Sequence, residues 1–277
     1  MIPFSKMQGN GNDFIVVDNR GLRASTESLS ALAARACRRR QSLGADGLLV
    51  VEASGEADFS MRLFNADGSE GEMCGNGARC IALYAHTKGI AGADQSFSTP
   101  AGVMRAKVAP PVVTLDMGRI DLTGGWTDRG LPLEGRSLPT SFFIVGVPHV
   151  MVFTDSDMSR ADMVRLGRTL RYDGALFPSG ANVNFVRQEG NDAIAVTTYE
   201  RGVEDLTDSC GTGSAASAIA HVLRRGPVPP SASVTVQNPG GVNVVDLRFS
   251  AGGEGVEAFL SGPAVFVADG MLYDALC

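Results

Sequence analysis

The sequence has 277 residues, is 44% hydrophobic and 19% charged, and carries a formal net charge of −6. That composition suits one large or two ordinary folded domains with a substantial core, and it argues against a polyanionic partner such as nucleic acid. No apolar run reaches the ~18 residues of a membrane span, and the opening "MIPFSKMQGNGNDF" lacks the apolar core of a signal peptide, so a cytoplasmic protein without membrane contact is expected. Taken in chain order, "FIVVD", "GLLVVE", "FSMRLFN", "VVTLDM", "FFIVGV", "NVNFVRQ", "AIAVTTYE" and "SVTVQN" read as strands bounded by Gly, Asp and Asn. Between them "TESLSALAARACRRR", "CGNGARCIALYAHTKG", "DMSRADMVRLGRTLR" and "CGTGSAASAIAHVLRR" read as helices. The run Arg38 to Arg40 closes the first helical pattern and reads as a solvated helix end, where cations are favoured.

Several features recur at one offset. Cys74 returns as Cys210, 136 positions later. "GAD" ending at Asp46 returns as "GAN" ending at Asn182, each before an apolar run, and Phe64-Asn65 matches Tyr199-Glu200 after a one-residue slip. A shared offset in chain order marks a duplicated domain, and two helices with a set of strands per half gives an α+β class. The Gly- and Pro-rich stretch 118–139 reads as a connecting loop, which sets the first domain at about 1–119 and the second from about 120.

Five cysteines without a secretory signal fit thiols in a reducing compartment. Cys74 and Cys80 lie six apart, no Cys-x-x-Cys occurs, and there are three histidines, so no metal site is expected. Both "CGNG" and "CGTG" place a cysteine ahead of Gly-polar-Gly at a helix start. A helix N-terminus stabilises a thiolate through its N–H groups and dipole, and the glycines let the backbone approach an anion such as a carboxylate. A pseudo-two-fold pair would set Cys74 and Cys210 on opposite sides of one carbon, one as thiolate base and one as thiol acid, which inverts that carbon. Two other readings stand beside it: small buried cysteines behind tight turns, and a Cys74–Cys210 disulfide formed on oxidation. Cys37, Cys80 and Cys277 have no motif reason to react, and His86 and His221 read as surface residues of helices.

The segments "FSKMQGNGNDFIVVD", "FNADGSEGEMCGNGARC", "FPSGANVNF", "YERGVEDLTDSCGTGS" and "LSGPAVFVADG" resemble diaminopimelate epimerases from near the first residue to near the last. The resemblance implies two pseudo-symmetric domains of the diaminopimelate epimerase-like fold, each a strand-rich sheet wrapped around a central helix. It implies that 264–277 returns to the first domain, leaving 120–263 as the second. It also implies an isomerase acting on a small amino-acid substrate in lysine and cell-wall biosynthesis, with no pyridoxal phosphate, metal or nucleotide. Such enzymes are often homodimers.

By resemblance, Cys74 and Cys210 are the catalytic thiols, and the backbone of Gly75, Asn76, Gly211 and Thr212 holds the α-carboxylate. Asn12, Asp46, Asn65, Asn182, Glu200 and Arg201 fall where the family contacts the rest of the substrate, and His149 and Glu200 where it keeps polar groups near the thiols. One position departs. The family reads Gly-Asn-Pro-His where this chain reads Gly146-Val147-Pro148-His149, and that asparagine helps hold the distal carboxylate. The departure also suits a racemase of another amino acid, such as histidine, on the same scaffold. A non-catalytic ligand-binding or redox-sensing protein is the alternative of a different class. Proline-type or phenazine-type isomerases of related fold lack the "YERG" segment present here.

Overall fold

The computed structural model describes residues 1–71, 73–133 and 135–273. Its first stretch runs β1 (Ile2–Gly9), β2 (Asn12–Asp18), α1 (Asn19–Leu22), α2 (Thr26–Ala36), β3 (Gly47–Glu52), β4 (Phe59–Asn65), β5 (Glu70–Gly71), α3 (Gly75–Thr87), β6 (Asp94–Thr99), β7 (Gly102–Ala109) and β8 (Val112–Asp121). It continues as β9 (Trp126–Leu133), β10 (Arg136–Val145), β11 (Val147–Thr154), α4 (Arg160–Arg171), β12 (Asn182–Gln188), β13 (Ala193–Tyr199), β14 (Leu206–Thr207), α5 (Gly211–Arg224), β15 (Ser231–Asn238), β16 (Gly241–Phe249), β17 (Gly255–Pro263) and β18 (Val265–Leu272). The chain divides into two units, Met1–Asp116 with the chain from Gly262 on, and Met117–Ser261.

In the first unit β2 and β3 pair in parallel, β3 and β4 antiparallel, β5 caps one end of β4, and β6 pairs in parallel with the other. The second unit repeats this strand for strand: β11 parallel to β12, β13 antiparallel to β12, β14 on one end of β13, and β15 parallel to the other. The duplication read from spacing is thus present in the hydrogen bonding. β18 runs antiparallel to β1 from Ile2 opposite Leu272 to Gln8 opposite Val265; residues 274–277, Cys277 among them, lie outside the described residues.

Two helices of each unit differ in kind. α2 and α4 start at Ser25 and Ser159, whose hydroxyls accept from Ser28 and Asp162 N–H, and each buries a single face. Leu29, Leu32, Ala33 and Ala36 pack on Ile15, Val17, Leu48 and Val50; Leu166 and Leu170 pack on Val150, Val152, Val183 and Phe185. α3 and α5 are buried nearly all round, from Asn76 to Ala85 and over most of Gly211 to Val222, as a central helix must be. Among the described residues no helix is long and apolar enough to cross a membrane.

The stretch 118–139 is not a loop. It holds the end of β8, all of β9 and the start of β10. Its Gly and Pro content is tolerated because β9 pairs with β10, with Pro132 opposite Ser137 and Gly130 opposite Pro139, in the manner of an edge strand. Trp126 anchors it by stacking on Phe142 and Phe177 at centroid separations of 4.8 and 6.0 Å.

Gly167 sets how closely α4 lies on β13: an added Cβ would stand 2.6 Å from Tyr199 Cβ. Alanine ordinarily stabilises a helix interior over glycine by roughly 0.5–1 kcal/mol, but overlap with a strand-borne Cβ costs about 1–3 kcal/mol, so overlap wins. Gly167→Ala should lower the urea midpoint at unchanged m-value; a raised midpoint would show that α4 shifts without penalty.

Candidate active site

Cys74 is the N-cap residue of α3, with extended backbone at φ −137° and ψ 122°. Ala78 N–H donates to its carbonyl at 2.8 Å, so Cys74 stands at the helix start, where the first-turn N–H groups carry the positive end of the helix dipole. The Cys74 thiol donates to Asn12 Oδ1 at 3.5 Å, and the Asn76 amide reaches the same oxygen at 3.5 Å. The Asn12 amide in turn donates to Asp46 Oδ2 at 2.5 Å. Arg79, one turn along α3 and fully buried, donates to Asn76 Oδ1 at 2.7 Å. Asn65 ends β4 opposite Gly47 and donates to Ser69 Oγ at 3.0 Å.

α2 stops at Ala36, so the arginine run lies beyond it. Arg39 is not simply solvated: it donates to Asp13 at 2.6 Å and to Asp46 at 2.8 Å. Burial alone would raise the Asp13 pKa, but the hydrogen bonds from Arg39 and Lys6 outweigh it and hold the carboxylate below its usual range.

In the second unit Cys210 caps α5, at φ −115° and ψ 115°. Its sulfur accepts from Gly213 N–H at 3.4 Å and lies 3.5 Å from Thr212 Oγ1, while Ser214 N–H closes the first helical bond to its carbonyl at 2.9 Å. A backbone donor and helix dipole at sulfur favour the thiolate. Asn182 Oδ1 accepts from Arg201 N–H at 2.7 Å, and the Arg201 guanidinium donates to Ser179 O at 3.0 Å. Burial raises the Glu200 pKa against the opposing hydrogen bond with Thr207. Hydrogen bonds thus join Cys74 and Asn76 to Asn12 and Asn12 to Asp46 in the first unit, while in the second Thr212 lies at Cys210 and Asn182 pairs with Arg201.

His149 lies opposite Asn182 in the β11–β12 register and is fully buried. Asn184 Nδ2 sits 3.2 Å from its Nδ1 and donates to Val150 O at 3.2 Å, and Asn184 Oδ1 accepts from Thr198 Oγ1 at 2.9 Å. Burial, reinforced by the Arg201 charge, pushes the His149 pKa down to about 3, so the ring is uncharged near neutrality. Sequence reading missed Arg79, Asn184 and Thr198. The signals were there: a lone arginine inside the apolar run "GARCIALYA", and a second inward asparagine two places after Asn182. His221, expected at the surface, is buried and its Nε2 lies 2.8 Å from Asn191 O. Burial pushes the Cys37 and Cys80 thiols up to about 11 and about 12, which leaves both unreactive.

The His149 shift has a stability consequence. Its folded pKa is depressed from 6.5 to about 3, so between those values the unfolded chain binds a proton that the folded one does not. Stability from this site is complete above pH 6.5 and is lost as the pH falls toward the folded value, by about 1.4 kcal/mol per pH unit. Urea unfolding of wild type and His149→Gln between roughly pH 6.5 and 4.5 should show the wild type losing stability more steeply. Parallel slopes would mean that His149 is charged in the folded protein.

A family model described as diaminopimelate epimerase matches residues 4–123 and 142–267. A diaminopimelate epimerase of Archaeoglobus fulgidus is 40% identical over 98% of this chain and 96% of its own, and one of Aquifex aeolicus is 36% identical over 97% of each. Among solved structures, a phenazine biosynthesis protein of Bacillus anthracis superposes with TM-score 0.75 at 16% identity over 99% of both chains. A hydroxyproline epimerase of Agrobacterium vitis superposes with TM-score 0.68 at 17% identity over 97% of this chain and 91% of that one. At such identities these two show the shared fold, whereas the relatives matched nearly end to end and the family model show more: the chain belongs to the diaminopimelate epimerase family.

Proposed function

We propose that the chain is a cofactor-independent epimerase that interconverts LL- and meso-diaminopimelate by inverting one α-carbon. The observation that carries the reading is the repeated cysteine N-cap, built independently in each unit on a buried helix. Inversion needs a base on one face of the carbon and an acid on the other. A thiolate takes the α-proton, the electron pair left on carbon spreads into the α-carboxylate, and the second thiol restores the C–H bond from the opposite face. The two sulfurs have then exchanged protonation states, ready for the reverse reaction. N–H groups of Gly75, Asn76, Gly211 and Thr212 supply oriented dipoles for the carboxylate and for the charge that builds on it. Asn12, Asp46, Asn65, Asn182, Glu200 and Arg201 hold the amino groups and the distal carboxylate, while His149 and Glu200 assist beside the thiols. The names of the relatives support the substrate, and a reducing, cytoplasmic setting suits a reaction that needs both thiols.

Val147 favours a second reading. It opens β11, half-buried, beside the Gly146 turn, where an added Cβ would sit 3.9 Å from Thr212 Cγ2. Valine gives a distal carboxylate no hydrogen bond, and a buried acceptor deprived of one loses roughly 1–3 kcal/mol; a racemase for an apolar or aromatic side chain would instead pack against it.

Deuterium uptake from D₂O at the α-carbon, measured on LL- and meso-diaminopimelate and on histidine, tests reaction and substrate together. Cys74→Ala and Cys210→Ala should each lower kcat by roughly 10²–10⁴-fold or more; activity within about tenfold of wild type in either would remove the two-thiol mechanism. Val147→Asn should preserve or raise kcat/KM for diaminopimelate, since binding of the remote end is used in the transition state. Wild-type turnover of histidine well above diaminopimelate, lost in Val147→Asn, would transfer the assignment to the second reading.

A further inference from the structure

The strand registers align the two units position by position and supply an internal control. In the first unit Phe14 lies opposite Gly47, Val16 opposite Leu49, and Leu49 opposite Leu63. In the second, His149 lies opposite Asn182, Met151 opposite Asn184, and Asn184 opposite Thr198. With Leu49 under Gly77 and Asn184 under Gly213 as the common anchor, His149, Asn184 and Thr198 take the places of Phe14, Leu49 and Leu63, one residue off the Asp46–Asn182 match of the sequence. A Cβ added at Gly77 would meet Leu49 Cδ2 at 3.1 Å and Phe14 Cζ at 3.5 Å, whereas at Gly213 it would meet Asn184 Oδ1 at 2.4 Å and Thr198 Oγ1 at 3.1 Å. One unit builds this floor from hydrocarbon, so the fold does not require the polar floor of the other. Burying three polar side chains costs free energy unless they are satisfied, and one atom is not: His149 Nε2 has no partner among the described residues.

The hydrogen bonds fix which nitrogen carries the proton. Asn184 faces the Val150 carbonyl at 3.2 Å with the same end that faces His149 Nδ1; an amide oxygen there would meet a second oxygen, so that end is the NH₂ group. Thr198 donates to the other end at 2.9 Å. Nδ1 is then an acceptor, and the proton of the neutral ring sits on Nε2. We propose that Asn184, backed by Thr198, is a positioning residue that holds His149 as an uncharged imidazole. Its Nε2–H is thereby a fixed hydrogen-bond donor to negative charge on the substrate rather than a carrier of protons. A neutral imidazole locked in one tautomer can stabilise developing charge in this way. The inference rests on the epimerase reading for its role, but the tautomer stands on the geometry alone.

¹⁵N NMR of histidine-labelled protein, with His149 assigned by its loss in His149→Gln, reads the tautomer directly. The wild type should show a protonated Nε2 and a bare Nδ1. Asn184→Asp replaces the donor by an acceptor and should move the proton to Nδ1, with kcat lowered roughly 10²–10³-fold at little change in KM. Thr198→Val, a milder change, should weaken the tautomer preference in the same direction and serves if Asn184→Asp does not fold. A wild-type spectrum with protonated Nδ1, or an Asn184→Asp enzyme with shifted tautomer and unchanged kcat, would overturn the proposal. The expected spectrum in a protein that exchanges no α-proton of diaminopimelate or histidine would instead overturn the functional reading.

Discussion

Both units depend on pressing the start of a buried helix flat against the sheet beneath it. The third residue after each cap is a glycine close on the sheet: an added Cβ at Gly77 would crowd Leu49 Cδ2 at 3.1 Å, and at Gly213 it would come within 2.4 Å of Asn184 Oδ1. That contact buries Gly77 and Gly213 against side chains, and the helix dipole acts more strongly where solvent screens it less. The N-cap cysteine sits at that end of the helix, where oriented N–H groups favour a thiolate. Glycine, helix burial and thiol chemistry are one requirement viewed at three scales.

Within that common frame the two sulfurs stand differently toward their own units. Cys74 donates to Asn12 Oδ1, an oxygen held by the Asn76 amide, and Asn76 is held in turn by Arg79. Cys210 accepts, from Gly213 N–H. Duplication supplied two copies of one element, and divergence placed a buried cation and amide chain behind the first and an imidazole–amide–hydroxyl floor beneath the second.

Much of this was legible in the chain. The repeat offset, the cysteine caps and the α+β class follow from local patterns that the fold preserves. What escaped depended on contacts far apart in sequence. Stretch 118–139 reads as a loop by its Gly and Pro, yet Trp126 stacks on Phe177, 51 positions on, and an edge strand excuses Pro132. The arginine run reads as a helix terminus, but Arg39 is captured by Asp13, 26 positions back. Asn184 reads as one more strand residue until Thr198 and His149 are found at either end of its amide. In each instance a polar or bulky group is assigned by a partner that periodicity cannot see.

The pairing of β1 with β18 gives the two units unequal standing during synthesis. Ser5 and Asp269, hydrogen bonded across this pair, are 264 residues apart, whereas the second unit is contiguous from Met117 to Ser261. A chain emerging from the ribosome can complete the second unit while the first still lacks its last strand and leaves β1 with an open edge, a template for stray strand pairing. β18 closes that edge. A strand made after the second unit thus finishes the first, and a chain cut just after Ser261 would leave the unit that carries Cys74 without its β18 edge while keeping every residue of the one that carries Cys210.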